Sequence, residues 1–197
     1  AMQSATVLAV PLPSAYPGEC LYRDLMLHAR FPDDDRTLAF AGIIAQGVSV
    51  GCYPLLRGLV SGEFQRLMRC CFPGVAVDVP ARATVVADSL DEYDDLVALL
   101  LAHRVDESDT GVWLTHAIAT AALRNNHLWQ DLGLPNRAVL SRLMRENFPA
   151  LAARNVGDMK WKKFFYRQLC ERAGVPICKS PHCADCCDYR VCFGPES

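Results

Sequence analysis

The sequence predicts an all-α protein, a compact bundle of about seven helices that ends in a cysteine-rich loop. Two observations indicate this class. From Gly18 onward, apolar residues recur at helical spacing, and capping residues, prolines or glycines stand at the ends of the periodic segments. Strand signals are almost absent, since the chain has no alternating apolar runs and no Asn-Gly hairpin turns.

Three helices are predicted in the first part of the chain. The first runs from Cys20 to Arg30 and stops before a proline. The second follows Asp33–Asp35 and continues to about Gln46, because acidic residues suit the positive end of a helix dipole. The third is capped by Ser61 and ends before Pro73-Gly74. The three acids are interpreted as a solvated helix start, since a metal site would need more oxygen ligands nearby.

Four helices are predicted in the second part, after an extended, proline-containing segment at residues 75–86. The capping box Ser89-Leu-Asp-Glu92 opens a helix to about His103, and Asp109 opens the next, to about Asn125. Pro135 opens a third that ends at Asn147-Phe-Pro. The last runs from Asp158, as its cap, to Gly174 at its C-terminal end.

This last helix carries two kinds of side chain with different roles. An apolar stripe is expected to be buried: Trp161, Phe164, Phe165 and Leu169. Four cations could attract an anion or an acidic partner surface, or could simply face solvent: Lys160, Lys162, Lys163 and Arg167. Their position is notable because this helix leads directly into the cysteine-rich tail.

The predicted organisation has three parts. Residues 1–17 are expected to be poorly ordered, residues 18–174 to form a single helical domain with a hinge at 75–86, and residues 175–197 to form a cluster-binding tail. The formal net charge of −2 argues for neither nucleic acid nor an anionic membrane as a partner. No signal peptide or membrane span is recognised, so a cytoplasmic, thiol-reduced protein is expected.

Four cysteines in the tail have the spacing C-x4-C-x2-C-x5-C: Cys178, Cys183, Cys186 and Cys192. Thiolates are soft ligands that select zinc, copper(I) or iron–sulfur clusters. The first three repeat the spacing that opens the plant-type ferredoxin pattern, and the second cysteine knuckle of a structural zinc site is missing. An iron–sulfur cluster is therefore favoured over zinc. His182 and Cys187 lie within the same run and are candidate additional ligands.

The remaining cysteines and the absent motifs narrow the function further. Five cysteines outside the tail are expected to be small buried apolar residues: Cys20, Cys52, Cys70, Cys71 and Cys170. The chain contains no P-loop, no dinucleotide fingerprint, no HExxH helix and no nucleophile elbow. Nothing in the sequence argues for an enzyme.

Several segments together resemble the NifQ family of nitrogen-fixation proteins. They are the stretch from His127 to Leu134, the stretch Asn147–Asn155, the Met-Lys-Trp-Lys-Lys helix of residues 158–170, and the cysteine tail through Glu196. Weaker similarity extends upstream through Arg57-Gly-Leu to Gly74.

The resemblance implies a role that composition does not reveal. NifQ proteins carry a molybdenum–iron–sulfur cluster and supply molybdenum, obtained from molybdate, for the iron–molybdenum cofactor of nitrogenase. Their partners would be the scaffold NifEN and the iron protein NifH. By motif, the cluster ligands here would be Cys178, Cys183, Cys186 and Cys192. Two alternatives stay open: an iron–sulfur electron-transfer or redox-sensing protein, and a helical interaction module with a structural zinc site.

Overall fold

The computed structural model describes residues 18–79, 90–175 and 189–196, and every regular element in these ranges is a helix. Seven helices have nine or more residues: α1 (Glu19–Leu27), α2 (Asp35–Ser49), α3 (Ser61–Cys71), α4 (Leu90–His103), α5 (Asp109–Ala122), α7 (Arg137–Asn147) and α9 (Trp161–Ala173). Three are single turns: α6 (Leu128–Asp131), α8 (Pro149–Ala152) and α10 (Tyr189–Phe193). The all-α class is confirmed, and the count of about seven is too low, because one turn holds too few residues to show a period.

The helix ends agree with the sequence signals only in part. Asp34 caps α2, where its side chain accepts a hydrogen bond from Arg36 N at 2.9 Å, and Gly174 ends α9 with φ 68. Asp158 is not the cap of α9, since it has φ 53 and α9 begins after Lys160. Ser89 and most of the predicted hinge lie outside the described residues.

The buried apolar side chains form one cluster to which the helices before and after residues 80–89 both contribute. Helix α2 lies near its centre and packs on α1, α5 and α7, while α4 packs on α5. In α9, Trp161, Phe164 and Phe165 are buried and Leu169 is half-buried against the cluster. The predicted apolar stripe therefore attaches α9, and with it the start of the tail, to the core.

The Arg57-Gly58 turn is bonded to two helices. Arg57 N donates to Thr120 Oγ1 at 2.9 Å, and the Tyr93 hydroxyl donates to Arg57 O. His116 Nδ1 lies 2.6 Å from the same hydroxyl. Burial raises the pKa of Tyr93 and lowers that of His116, so both side chains are held neutral. Position 58 requires glycine, because its φ is 76 and a Cβ there would clash with the Tyr93 and His116 side chains at 2.7 Å.

The cysteines outside the tail differ from the expectation that all are buried. Cys71 is buried, and desolvation raises the pKa of its thiol to about 11. Cys170 is half-buried, whereas Cys20, Cys52 and Cys70 are exposed. The prediction is wrong for these three because Cys20 and Cys70 lie on the solvent sides of α1 and α3, and Cys52 lies in the turn after α2.

No helix in the described part of the chain combines the length and the apolar character needed to span a membrane.

Candidate functional site

Only one of the four predicted cluster ligands falls within the described residues. Cys192 lies on α10 and is half-buried, whereas Cys178, Cys183 and Cys186 lie outside those residues. The candidate additional ligands His182 and Cys187 do as well. Among residues 18–79, 90–175 and 189–196, no three His, Cys, Asp or Glu side chains are grouped closely enough to hold a metal ion. The ligand set therefore stays a prediction, and the geometry of the site is that of the surroundings of Cys192.

Cys192 is anchored at the N-terminal end of α9. Lys160 N donates a hydrogen bond to Cys192 O at 2.8 Å. The Phe193 ring lies against Gly157, where a Cβ would approach Phe193 Cε1 to 2.9 Å. The Phe193 ring also stacks on Tyr189, with ring centroids 4.6 Å apart. Cys192 and the residue that follows it are therefore tied to the segment that leads into α9.

A buried carboxylate fastens the end of the tail. The Glu196 side chain is only 3% exposed, and Arg137 Nη1 lies 2.9 Å from its Oε1. His127 Nδ1 lies 3.9 Å from the same oxygen. Arg137 Nη2 also donates to Asp158 Oδ1 at 2.8 Å and to Met159 O at 3.2 Å. Arg137 therefore joins α7, the segment before α9 and the end of the tail.

Sequence analysis does not single out Arg137 or Glu196. The position of Arg137 is a sequence signal that could have found it. Arg137 is the first residue of α7, and a cation is unfavourable at the positive end of a helix dipole. A cation in that position indicates a partner elsewhere, but only the fold identifies the partner.

Lys162 is one of the four cations predicted as a basic face, and its positive charge is compensated by a buried carboxylate. Its Nζ donates to Asp131 Oδ2 at 2.6 Å and to Arg124 O at 2.6 Å. The Asp131 side chain is 3% exposed. Burial lowers the pKa of Lys162, and the Asp131 carboxylate opposes that shift. This pair joins α9 to α6 and adds no net charge to the surface.

The other three cations have different surroundings. Arg167 Nε donates to Glu171 Oε1 at 3.0 Å, one turn along α9. The ammonium groups of Lys160 and Lys163 make no hydrogen bond or ion pair with any side chain or backbone group of the described residues. Positive charge that is not compensated by the described residues is therefore concentrated at Lys160, the N-cap of α9, and at Lys163 on its first turn.

Residues 126–131, which face the first turn of α9, are held in place by hydrogen bonds. Asp131 accepts hydrogen bonds from Asn126 N at 3.0 Å and from Asn126 Nδ2 at 3.1 Å. His127 N donates to Gln130 Oε1 at 3.1 Å, which completes a capping box on α6. The stretch from His127 that carries part of the family resemblance thus forms a fixed wall opposite the start of α9.

Between this wall, the first turn of α9 and α10 lies an open concavity of about 520 Å³. Its lining includes Asn125, Asn126, His127, Lys160, Lys163 and Val191. Val191 is the neighbour of Cys192 in the chain. The structure therefore brings Lys160 and Lys163 close to Cys192, the one predicted ligand among the described residues, and to His127, whose role spacing alone does not reveal.

Comparisons with known proteins agree with the resemblance seen in the motifs. A family model described as NifQ matches residues 37–194. Protein NifQ of Azotobacter vinelandii is 38% identical over 164 residues, which cover 77% of this chain and 84% of the relative. Protein NifQ of Rhodobacter capsulatus is 34% identical, covering 87% of this chain and 100% of the relative. Protein NifQ of Klebsiella pneumoniae is 38% identical, covering 73% and 89%.

No solved structure matches the chain. The family match spans the long helices α3 to α9, the wall at His127 and the cysteine tail up to Gly194. The chain therefore belongs to the NifQ family of nitrogen-fixation proteins.

Proposed function

We propose that this protein carries a molybdenum-containing iron–sulfur cluster and donates its molybdenum during assembly of the nitrogenase iron–molybdenum cofactor. The observation that carries the proposal is the C-x4-C-x2-C-x5-C tail inside the region that matches the NifQ family. Cys178, Cys183, Cys186 and Cys192 are the proposed ligands. A donor needs no catalytic residues, which is consistent with the absence of catalytic motifs from the sequence.

The donor set fits the proposed chemistry. Iron–sulfur clusters are held by cysteine thiolates, and four cysteines within one short run supply them. Molybdenum is the cargo and must be held weakly enough to leave, so we assign three of the four cysteines to iron and molybdenum to the remaining corner of the cluster. The fourth thiolate, His182 or an oxygen ligand would complete that corner.

The anchoring of Cys192 supports a cluster at the start of α9. Cys192 lies at the N-terminal end of α9, whereas Val175 follows its C-terminal end. A helix of thirteen residues is about 20 Å long, so these two described points are separated by roughly that distance. Because Cys192 is held against Lys160, we place the proposed cluster beside the first turn of α9.

The proposed recipients are the scaffold NifEN, with the iron protein NifH as a second partner. Exposed apolar side chains on α10 and on the segment before α9 would be available to such partners. They include Tyr189, Val191 and Val156, of which Val156 is 91% exposed.

The test is anaerobic purification of the full chain from cells supplied with molybdate, followed by elemental analysis for iron, molybdenum, sulfide and zinc. Each tail cysteine is changed to alanine in turn, and Cys20→Ala on α1 is the matched control. We expect iron, sulfide and molybdenum in the wild type and in the control, and loss of molybdenum with partial retention of iron in at least one tail variant. Transfer of molybdenum to NifEN then tests donation directly.

Two other results would assign a different function. Iron and sulfide without molybdenum, despite molybdate supply, would indicate an electron-transfer or redox-sensing protein, an alternative favoured by the ferredoxin-like spacing of the first three cysteines. Zinc alone would indicate a structural zinc module and would overturn the donor assignment.

A further inference from the structure

We propose that the concavity between residues 125–127, the first turn of α9 and α10 binds a tetrahedral oxyanion. The identification of that oxyanion as molybdate, held before its molybdenum joins the cluster, rests on the function proposed above. The site itself rests on the charges, the rigidity and the position of the described residues that line the concavity.

The available groups in the lining are hydrogen-bond donors of positive or neutral charge. Lys160 and Lys163 contribute two ammonium groups that have no partner among the described residues. His127 contributes a ring nitrogen, and Asn125 contributes an exposed side-chain amide. Hydrogen bonds between charged donors and oxyanions are about twice as strong as neutral ones, so two ammonium groups and further donors around one concavity suit an oxyanion.

Among the described residues, the two acidic side chains near these donors are compensated by other cations. Glu196 lines the concavity but is paired with Arg137 at 2.9 Å. Asp131 lies beneath the lining and is paired with Lys162 at 2.6 Å. Neither carboxylate is therefore left to cancel the charge of Lys160 and Lys163, and the described part of the lining carries net positive charge.

The walls are fixed before any anion arrives. The hydrogen bonds of Asp131 hold Asn126 in place, and the capping box holds His127. Lys160 is held through its backbone N–H, which donates to Cys192 O. A preorganised site loses less conformational entropy on binding, so small anions can bind with useful affinity.

The position of the concavity links it to the tail. Val191 lines it, and Cys192 is the next residue. An oxyanion bound by Lys160 and Lys163 would therefore be close to a proposed cluster ligand. The first turn of α9, a helix of thirteen residues, adds the positive end of a helix dipole on the same side. The polar lining, in which the uncompensated charge of the described residues is confined to two neighbouring lysines, favours a compact anion over an acidic segment of a partner protein.

The test is equilibrium binding of molybdate to the full chain by calorimetry, at constant ionic strength set with chloride. The double variant K160Q/K163Q removes both free cations but keeps most of each side chain. The matched control is R172Q, which removes an exposed cation from the other end of α9. We expect the double variant to bind molybdate at least roughly tenfold more weakly, and the control to bind like the wild type. Tungstate and sulfate, which share the tetrahedral geometry, are expected to displace molybdate.

A further variant separates this proposal from the proposed function. C183A/C186A removes two proposed cluster ligands and leaves the lining of the concavity intact, so it should still bind molybdate. Binding that is lost in C183A/C186A but unchanged in K160Q/K163Q would overturn the oxyanion site and leave the donor function standing. Molybdate binding that depends on Lys160 and Lys163, in a chain whose cluster never contains molybdenum, would support the site and overturn the donor function. A wild-type chain that binds no oxyanion would also overturn the site.

Discussion

Adjacent lysines on the first turn of α9 have different electrostatic environments. Lys162 is bonded to a buried carboxylate and to a backbone carbonyl, whereas Lys163 is exposed. A helical projection of the sequence places both among polar residues and cannot distinguish them. The partner of Lys162 is Asp131, thirty-one positions earlier in the chain, on a helix of only four residues.

The first prediction concerns this pair. Lys162→Met should destabilise the fold by about 2 kcal/mol or more, because it leaves the Asp131 carboxylate buried without its cation. Lys163→Met, the matched control, should change the free energy of unfolding by no more than about 0.5 kcal/mol. Urea unfolding followed by circular dichroism measures both. Equal, small effects would show that water reaches Asp131 easily and that the pair contributes little.

At the same scale, the sequence identifies the cations of α9 but not their distribution of charge. Residue type and spacing place Lys160, Lys162, Lys163 and Arg167 on the helix that leads into the tail, and the structure puts them at its cap and on its first two turns. Which of them is neutralised depends on Asp131 and Glu171, and only Glu171 lies on the same helix. The helical periodicity of a sequence does not predict contacts between residues that are distant in the chain.

At the scale of elements, α2 and the turn after α6 meet through two glycines. A Cβ at Gly42 would lie 2.2 Å from Leu132 O and 2.7 Å from Gly133 Cα. Gly133 has φ 65, and a Cβ there would lie 2.5 Å from Gly42 Cα. The backbones therefore touch, which allows α6 and the His127 wall to sit close to the core.

The second prediction follows from this contact. Gly42→Ala should destabilise the protein by about 2–3 kcal/mol even though alanine is the better helix former, because the new methyl group meets backbone atoms that cannot rotate away. Gly62→Ala in α3 is the control, since a Cβ there meets nothing within 4 Å. It should be neutral or stabilising by about 0.5 kcal/mol. Thermal unfolding of the two variants compares them, and a stable Gly42→Ala protein would show that α6 can move away from α2.

The third prediction concerns the attachment of α10. Glu196→Gln removes the charge that pairs with Arg137, so α10 should separate from the start of α9 more often. The Lys160 amide reports this separation because it donates to Cys192 O. Its hydrogen exchange should become roughly tenfold faster or more.

The control for this prediction uses the other carboxylate on Arg137. Asp158 is 79% exposed and lies 2.8 Å from Arg137, so Asp158→Asn should have little effect on Lys160 exchange. If both variants accelerate exchange equally, the ion pair with Glu196 is not what holds the end of the tail.

The long helices could be predicted because each has a period, a start signal and a stop signal that agree with one another. Helices α6, α8 and α10 could not, although α6 and α10 border the concavity described above. Their single turns are stabilised by packing and by distant partners such as Arg137, so local sequence carries little information about them. The parts of the candidate site that sequence reasoning missed are therefore those built from contacts between elements.

At the scale of the whole molecule, the hydrophobic core of the described residues makes little use of cysteine. Of the six described cysteines, Cys71 alone is one of the buried core residues, and Cys192 packs at the edge of the core. The core draws instead on large side chains such as Phe40, Trp113 and Phe148. Folding of the bundle should therefore not depend on a bound metal, unlike folding of a structural zinc module.

The fourth prediction tests this independence. A variant with Cys178, Cys183, Cys186 and Cys192 all changed to alanine should keep its helical circular dichroism and unfold cooperatively. Its Tm should lie within about 4 °C of that of the wild type, since only the edge contact of Cys192 is lost from the described core. Wild-type protein treated with a chelator should behave in the same way. Loss of the cooperative transition in either sample would show that metal binding and folding are coupled. A bundle that folds without metal would suit the proposed donor, because it could release molybdenum and remain folded.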